Sequence, residues 1–172
     1  MVPAPGTTHR VRVSTAHPPH GEAPATRLHP HVLIIEDEVV TASIIRAIVM
    51  RHGHGCSTTI VRDGLQAMRY FRGVPPYEDR QTHPKPHLVI LDLGLPGVSG
   101  FQVLTWMDNN ADVANSPVVV FSGTTDPEAA RRAYALGARA YLPKSADPVR
   151  LAEVVRETLA RWAPASRDGT SG

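Results

Sequence analysis

Between His31 and Trp162, five short segments rich in apolar or β-branched residues alternate with longer segments whose apolar residues have helical spacing. The short segments are HVLII (31–35), STTIV (57–61), HLVIL (87–91), PVVVF (117–121) and ARAYL (138–142). A continuous apolar run such as HVLII is typical of a strand buried on both faces of a parallel sheet, whereas STTIV is a strand candidate because it is β-branched. The pattern therefore predicts five strands.

The intervening segments carry apolar residues three and four positions apart, as in helices that bury one face. These residues are Val40, Ile44, Ile45, Ile48 and Val49 in the first segment, Leu65 and Met68 in the second, Phe101, Leu104 and Met107 in the third, and Leu151, Val154, Val155, Leu159 and Trp162 in the last. Asp63 is placed to cap the second helix, with Leu65 and Met68 facing inward, and Thr125 or Asp126 to cap the fourth, followed by Pro127.

Strand and helix alternate five times, which predicts an α/β fold with a parallel sheet and helices on both faces. One connection departs from the usual length of 2–6 residues. It is the proline-rich loop at residues 73–86, which we interpret either as an insertion without a role or as a contact surface.

The two ends of the chain differ from the middle. Residues 1–30 hold six of the 16 prolines and four of the nine histidines, with no apolar periodicity, and we expect them to be disordered. Residues 31–163 form the predicted domain, and residues 164–172 a short polar tail. No output domain is expected after the last helix.

Charge is distributed unevenly along the chain. Residues 1–30 hold three arginines and one glutamate, whereas residues 31–172 hold 15 basic and 15 acidic side chains. The predicted domain is therefore neutral and lacks the basic footprint of a DNA-binding protein. With one cysteine, no secretory signal and no apolar run of about 18 residues, we expect a cytoplasmic protein outside the membrane.

Polar residues with related chemistry follow the predicted strands. Glu36 and Asp37 follow the first strand, Asp92 the third, Ser122 the fourth and Lys144 the fifth. Ligands of open parallel sheets bind outside the carboxyl ends of the strands. Converging carboxylates repel one another and favour a cation, and Mg²⁺ prefers such oxygen ligands together with a phosphate.

This arrangement resembles the receiver domain of two-component response regulators over roughly residues 31–162. The motifs that carry the resemblance are LIIEDE, VILDLGLPGVSG, VVVFSG and YLPKS, in this order along the chain. The resemblance implies the flavodoxin-like receiver fold with sheet order 2-1-3-4-5. It also implies a stand-alone regulator that takes a phosphoryl group from a sensor histidine kinase or a phosphotransfer protein, and then switches conformation or relays the phosphoryl group.

The resemblance assigns roles to the acidic residues. Asp92 is implied as the phosphoryl acceptor, through nucleophilic attack by its carboxylate. Asp37 is implied as a direct ligand of Mg²⁺, Glu36 as a ligand largely through water, and Asp92 and the backbone carbonyl of Gly94 as further ligands.

The resemblance also assigns roles at the far side of the site. Lys144 and Ser122 are implied to hold phosphoryl oxygens, and Tyr141 matches the aromatic position that repacks on phosphorylation. The family commonly has a proline joined by a cis bond after the lysine, but here Ser145 follows. A cis bond before a non-proline residue costs about 2.5–4 kcal/mol, so the Lys144–Ser145 bond is either trans or strained.

A narrower resemblance concerns the partner. The long loop, the stretch from Pro117 to Asp147 and the tryptophan of the last helix are similar to single-domain regulators that serve bacterial phytochrome kinases. The apolar stripe of the last helix is mostly core, and its final turns offer a homodimer contact.

Two other functions were weighed. A phosphatase that uses Asp92 as nucleophile, like the haloacid-dehalogenase-like enzymes, needs a second aspartate two residues later as a general acid. This chain has Gly94 at that position. A receiver-like binding module that is never phosphorylated usually lacks the aspartate, the lysine or the acidic pair, and all of these are present here.

Overall fold

The fold is a five-stranded parallel sheet with helices on both faces, in a computed structural model that describes residues 29–53 and 55–160. The strands are β1 (His31–Ile35), β2 (Ser57–Val61), β3 (Leu88–Leu91), β4 (Val118–Ser122) and β5 (Ala138–Pro143). The helices are α1 (Val39–His52), α2 (Gly64–Arg72), α3 (Gly100–Asp108), α4 (Ala111–Ala114), α5 (Pro127–Ala135) and α6 (Pro148–Ala160).

The sheet order is β2-β1-β3-β4-β5, and every neighbouring pair is parallel, so the predicted fold class and strand order are confirmed. Alternate residues of each strand enter different cores. Val32 and Ile34 pack with α1 and α6, whereas Leu33 and Ile35 pack with α2, α3 and α4 on the other face. Coverage of both faces explains why the three central strands, β1, β3 and β4, are continuous apolar runs, whereas the edge strands β2 and β5 are partly exposed.

Several apolar residues at helical spacing are not buried. In α1 the inward face consists of Ala42, Ile45 and Val49, whereas 64% of Val40 and 51% of Ile44 is exposed. The prediction that Leu65 faces inward is wrong, because 56% of it is exposed at the first turn of α2. The spacing of apolar residues in a helix therefore predicts a wider apolar face than the one that packs against the sheet.

Two local predictions have clear outcomes. Asp63 caps α2 through its side chain, which accepts the backbone N–H of Gln66 at 2.7 Å, and Asp126 caps α5 by accepting the N–H of Glu128 at 2.9 Å. The short helix α4 was not predicted. It buries one apolar side chain, that of Val113, which is too little for a periodic signal.

The loop at residues 73–86 is packed against the domain. The Arg80 guanidinium donates hydrogen bonds to the carbonyl oxygens of Tyr70 at 2.9 Å and Phe71 at 2.8 Å, at the carboxyl end of α2. The Tyr70 carbonyl also accepts the N–H of the C-cap residue Gly73 at 3.1 Å, so Arg80 adds to the capping of the last turn. Tyr77 and His83 of the loop meet the ring of Tyr70, and the loop therefore extends the core beside α2.

The predicted tails lie almost entirely beyond the described residues, as do His54 and Trp162. The disorder expected for the first 28 of residues 1–30, and Trp162 at the end of the expected homodimer contact on the last helix, therefore lie outside the described residues. Within the described segments, no helix is both long enough and apolar enough to cross a membrane.

His31 is buried at the amino end of β1, where it joins three elements. Its Nδ1 lies 2.7 Å from the Ser57 hydroxyl of β2, and its Nε2 lies 2.8 Å from the Tyr70 hydroxyl of α2. The Tyr70 hydroxyl donates to the carbonyl oxygen of Pro84, which leaves its oxygen free to accept from the imidazole. Burial, with smaller contributions from His87 and His83, lowers the pKa of His31 to about 4.

Gly100 is the first residue of α3 and lies directly against the backbone of Asp92 and Leu93. A Cβ atom at this position would lie 2.2 Å from the carbonyl oxygen of Asp92 and 2.7 Å from the Cα of Leu93. These are backbone atoms, which cannot rotate away. The missing side chain therefore allows α3 to support Asp92 closely.

We predict that the free energy of unfolding falls as the pH drops from 6.5 toward 4 and is insensitive to His31 above that range. In this window the unfolded chain binds a proton that the folded protein excludes, because the pKa of His31 is 6.5 when unperturbed and about 4 when folded. The loss by pH 4 is about 3 kcal/mol. Urea unfolding at several pH values measures it. His31→Gln should remove this part of the decline and the control His52→Gln should not, so an unchanged slope in His31→Gln contradicts the prediction.

We predict that Gly100→Ala lowers the free energy of unfolding by about 2–3 kcal/mol, because the new methyl group collides with the Asp92 backbone. Gly123→Ala is the matched control, since a Cβ there meets nothing within 4 Å. The control should stay within about 0.5 kcal/mol of the wild type in chemical denaturation. Equal stability of the two variants would refute the close-packing argument.

Candidate functional site

The polar residues that follow the strands meet at the carboxyl edge of the sheet. Backbone hydrogen bonds fix the position of these residues along the strand direction. The Asp92 N–H donates to Ile35 O at 3.0 Å, and the Lys144 N–H donates to Ser122 O at 2.8 Å. The pairing of the sheet thus continues one residue beyond β3 and β5. This extension brings side chains from distant parts of the chain to one place.

Three carboxylates converge between β1 and β3. Glu36, Asp37 and Asp92 each offer an oxygen within 4.8 Å of the others. Glu36 and Asp92 are buried, whereas Asp37 is exposed. The adjacency follows from the sheet order, which makes the third strand the neighbour of the first.

Lys144 crosses the site and contacts both buried carboxylates. Its Nζ donates a hydrogen bond to Asp92 Oδ2 at 2.9 Å and another to Glu36 Oε1 at 2.9 Å. The same ammonium also lies 2.9 Å from Glu36 Oε2, but this oxygen has no hydrogen bond of proper geometry and is buried. The single positive charge of Lys144 is therefore shared between the two buried carboxylates of Glu36 and Asp92.

Burial and charge act in opposite directions on these groups. Burial raises the pKa of Glu36, and the hydrogen bond from Lys144 partly opposes that shift. Partial burial lowers the pKa of Lys144, but its hydrogen bonds with Asp92 and Glu36 outweigh burial and leave the pKa raised. Lys144 is therefore a permanent cation at neutral pH.

Backbone amides support the carboxylates. The Gly94 N–H donates to Asp92 Oδ1 at 3.1 Å, and the Glu38 N–H donates to Glu36 Oε1 at 3.2 Å. The carboxylates are thereby oriented before any ligand arrives.

Ser122 and Tyr141 lie on the β4 and β5 side of the edge. Ser122 is the last residue of β4 and is buried, and Tyr141 pairs with Val120 across the two strands. The Tyr141 hydroxyl donates to the Thr124 carbonyl oxygen at 2.8 Å, which ties β5 to the loop between β4 and α5. Burial raises the pKa of the Tyr141 hydroxyl, so it remains a donor at neutral pH.

The peptide bond after Lys144 is trans. Across residues 29–53 and 55–160, the single cis bond joins Pro75 to Pro76. The alternatives left open for Lys144–Ser145 are thereby decided in favour of the trans form, and Lys144 reaches both carboxylates without a cis bond.

Sequence reasoning missed two contacts at this edge. It assigned Lys144 to phosphoryl oxygens and did not foresee its hydrogen bond with Glu36. The signal was available, because a buried glutamate at a strand end requires a positive partner. It also missed Tyr134, whose hydroxyl accepts the Tyr141 backbone N–H at 3.1 Å, and no sequence pattern marks that residue.

The donor set suits a hard divalent cation. Three carboxylates on one side of the site, including the buried Glu36 oxygen without a hydrogen bond, are the ligand chemistry that Mg²⁺ and Mn²⁺ take.

Comparison with known proteins identifies relatives of the same architecture. Response regulator Rcp1 of Synechocystis sp. is 29% identical over 131 residues, which cover 76% of this chain and 87% of Rcp1. The crystal structure of the phosphorylated cyanobacterial phytochrome response regulator RcpA superposes with a TM-score of 0.67 at 28% identity, covering 78% of this chain and 94% of that one. The Mn²⁺-bound form of Rcp1 superposes with a TM-score of 0.66 at 28% identity, covering 79% and 96%.

The family model described as the response regulator receiver domain matches residues 32–156. This range contains β1 from its second residue, the other four strands in full and every polar residue at the carboxyl ends of the strands. The chain therefore belongs to the response regulator receiver domain family of two-component signalling.

Proposed function

We propose that this protein accepts a phosphoryl group on Asp92 in a Mg²⁺-dependent reaction and signals through the resulting conformational switch. The observation that carries the proposal is the arrangement around Asp92. One oxygen of its carboxylate accepts a hydrogen bond from the Lys144 ammonium at 2.9 Å, and Glu36, Asp37 and Asp92 each offer a carboxylate oxygen within 4.8 Å of the others. Positive charge and cation ligands thus flank one carboxylate, as phosphoryl transfer requires.

The cation ligands in this proposal are Asp37, Asp92 and the backbone carbonyl of Gly94, with Glu36 contributing largely through water. When bound, Mg²⁺ supplies neutralisation of the negative charge that the phosphoryl oxygens bring. The exposed position of Asp37 and the buried Glu36 Oε2, which accepts no hydrogen bond, support this assignment. The Mn²⁺-bound structure of Rcp1 supports a divalent cation in a similar fold.

The transfer is a displacement at phosphorus. A carboxylate oxygen of Asp92 forms a bond to the phosphorus of a phosphohistidine while the bond from phosphorus to the histidine nitrogen breaks. The departing nitrogen keeps the electron pair, and the product is an acyl phosphate on Asp92. Lys144 and Ser122 hold two of the phosphoryl oxygens, so the chain positions the group and balances its charge.

The switch connects Ser122 to Tyr141. Ser122 ends β4 immediately before the loop whose Thr124 carbonyl accepts the Tyr141 hydroxyl. Movement of Ser122 toward a phosphoryl oxygen would displace this loop and change the hydrogen bond between the Tyr141 hydroxyl and the Thr124 carbonyl. α5, which follows the loop, packs mostly through small residues and is well suited to shift. Phosphorylation would then change the populations of two existing conformations.

The phosphodonor in this proposal is a sensor histidine kinase or a phosphotransfer protein, and specifically a kinase of the phytochrome type. The similarity to Rcp1 and to the phytochrome response regulator RcpA supports that choice. Val39 and Val40, the first two residues of α1, are exposed apolar residues that follow Asp37 closely along the chain and are suited to contact with a protein.

We predict that the wild-type protein, incubated with Mg²⁺ and acetyl phosphate, forms a base-labile phosphoryl adduct and that Asp92→Asn does not. The amide of asparagine is not a nucleophile of this kind, and the substitution preserves shape. Phosphate-affinity electrophoresis with intact-mass analysis measures the adduct. Asp112→Asn, on the exposed surface of α4, is the matched control and should be modified like the wild type. Equal modification of the wild type and Asp92→Asn would overturn the proposed function.

We also predict that phosphorylation changes amide hydrogen exchange in residues 123–135, which form the loop after β4 and α5. The reason is that, in the proposed switch, Ser122 moves toward the phosphoryl group and the Tyr141 hydroxyl is bonded to Thr124 within this segment. Exchange mass spectrometry before and after acetyl phosphate treatment measures the change, and Asp92→Asn treated identically is the control. The same exchange in both states of the wild type would exclude this switch.

A further inference from the structure

We propose that β2, at one lateral edge of the sheet, is the contact surface of a symmetric dimer in which the β2 strands of two copies of this chain pair antiparallel. The inference goes beyond the proposed function and does not depend on it, because it concerns the side of the sheet and not its carboxyl edge. It also differs from the homodimer contact expected on the last helix.

Two residues of β2 direct their backbone groups away from the sheet. The Ser57 N–H donates to β1 at 2.9 Å and the Val61 carbonyl accepts from the end of β1 at 3.0 Å, so these residues and Thr59 face β1. In a parallel pair, the residues between them face the other way. Thr58 and Ile60 therefore each direct an N–H and a carbonyl outward, and neither group has a hydrogen-bond partner in the described part of the chain.

The outward N–H groups on both sides of this pair are occupied. The Cys56 N–H donates to the carbonyl oxygen of Gly53 at 3.3 Å, and the Arg62 N–H donates to Gln66 Oε1 at 3.4 Å. The open part of the edge therefore consists of the two residues that lie between them on the outward side.

The opposite lateral edge, β5, is blocked. Its outward Tyr141 N–H donates to the Tyr134 hydroxyl at 3.1 Å, and the next outward residue, Pro143, has no N–H to offer. The pairing of β5 with β4 is also irregular beside Val118. Proline and irregular pairing are devices by which proteins prevent an edge strand from pairing with another chain.

β2 carries none of these devices. Its sequence, STTIV, is rich in β-branched residues, contains no proline and no charged residue, and pairs regularly with β1 over all five positions. Such a strand is a template for another strand. Because the edge is neutral, two copies of it meet without opposing like charges, which makes a second copy of this chain a fitting partner.

The two open residues select one register for self-pairing. A two-fold axis at Thr59 places Thr58 of one copy opposite Ile60 of the other, and each of the two equivalent pairs exchanges two backbone hydrogen bonds. An axis at Thr58 or at Ile60 would leave one such pair, because the next outward N–H groups along the strand are occupied. The axis at Thr59 is therefore favoured, and it joins the sheets of the two copies into one.

Amide exchange of the wild-type protein, followed residue by residue by NMR, tests the pairing. Two short strands bury less surface than a standard interface, so we expect a weak dimer that forms between about 10 μM and 1 mM protein. Over that range the Thr58 and Ile60 N–H groups should exchange at least about fivefold more slowly, because each becomes bonded to the second copy. The Thr59 and Val61 N–H groups, which face β1, are internal controls and should change by less than about twofold.

Sedimentation velocity at the same concentrations shows whether a dimer forms. A dimer together with slower exchange at Thr58 and Ile60 supports the proposal, and a monomer at every concentration overturns it. Slow exchange of the two N–H groups that does not depend on concentration also overturns it, because the edge is then covered within a single chain. A dimer that leaves their exchange unchanged places the contact elsewhere and equally overturns the proposal.

Thiol crosslinking tests the register. Residues at a two-fold axis of this kind have Cα atoms about 4.5 Å apart, a separation that a disulfide spans. Thr59→Cys should therefore give covalent dimers under a mild oxidant. Ser57→Cys is the matched control, since it lies on the same face of β2 but two positions from the axis, which puts the two thiols about 14 Å apart. Both variants also carry Cys56→Ala, so that each chain holds one thiol.

The yields of covalent dimer decide the result. Dimers of the Thr59→Cys variant that the Ser57→Cys variant does not form support the register and the proposal. Equal yields from the two variants would assign crosslinking to random collision, and no dimer from Thr59→Cys would exclude the axis at Thr59, so each of these outcomes overturns the proposal. The exchange measurement on the wild type decides the question if a variant does not fold.

Discussion

The contact of one ammonium group with two buried carboxylates is the interaction on which the carboxyl edge of this sheet depends. Glu36 and Asp92 lose most of their hydration there, and a buried charge without a partner costs several kcal/mol. Lys144 offsets that cost while remaining partly accessible to solvent. The ion pairs therefore stabilise this edge in the absence of ligands.

Main-chain pairing holds this interaction in place. Lys144 reaches the site because its N–H is bonded to Ser122, and Asp92 because its N–H is bonded to Ile35. The chain order of the strands would put β2 next to β3, but β1 occupies that place and brings Glu36 beside Asp92. Gly100 then allows α3 to support the Asp92 backbone closely. Fold and site thus share the same hydrogen bonds and contacts.

Sequence reasoning succeeded where local chemistry determines structure. Continuous apolar runs identified the three central strands because both faces of these strands are covered, and β-branched or apolar residues marked the two edge strands. Asp63 and Asp126 cap the predicted helices because their side chains need only neighbouring amides. It failed where burial depends on distant elements. The exposure of Val40 and Leu65, the helix at Val113 and the packing of Arg80 onto α2 depend on contacts that no local pattern records.

Local sequence patterns were sufficient to predict the class of fold, the order of chemical groups along the chain and the edge at which those groups lie, because strand periodicity and parallel topology constrain all three. The three-dimensional structure was needed to establish that Lys144 bridges Glu36 and Asp92, that the bond after Lys144 is trans, and that Tyr134 bonds to the β5 backbone. The physical reason is distance along the chain. Residues 108 positions apart, as Glu36 and Lys144 are, meet only after the sheet has closed between them.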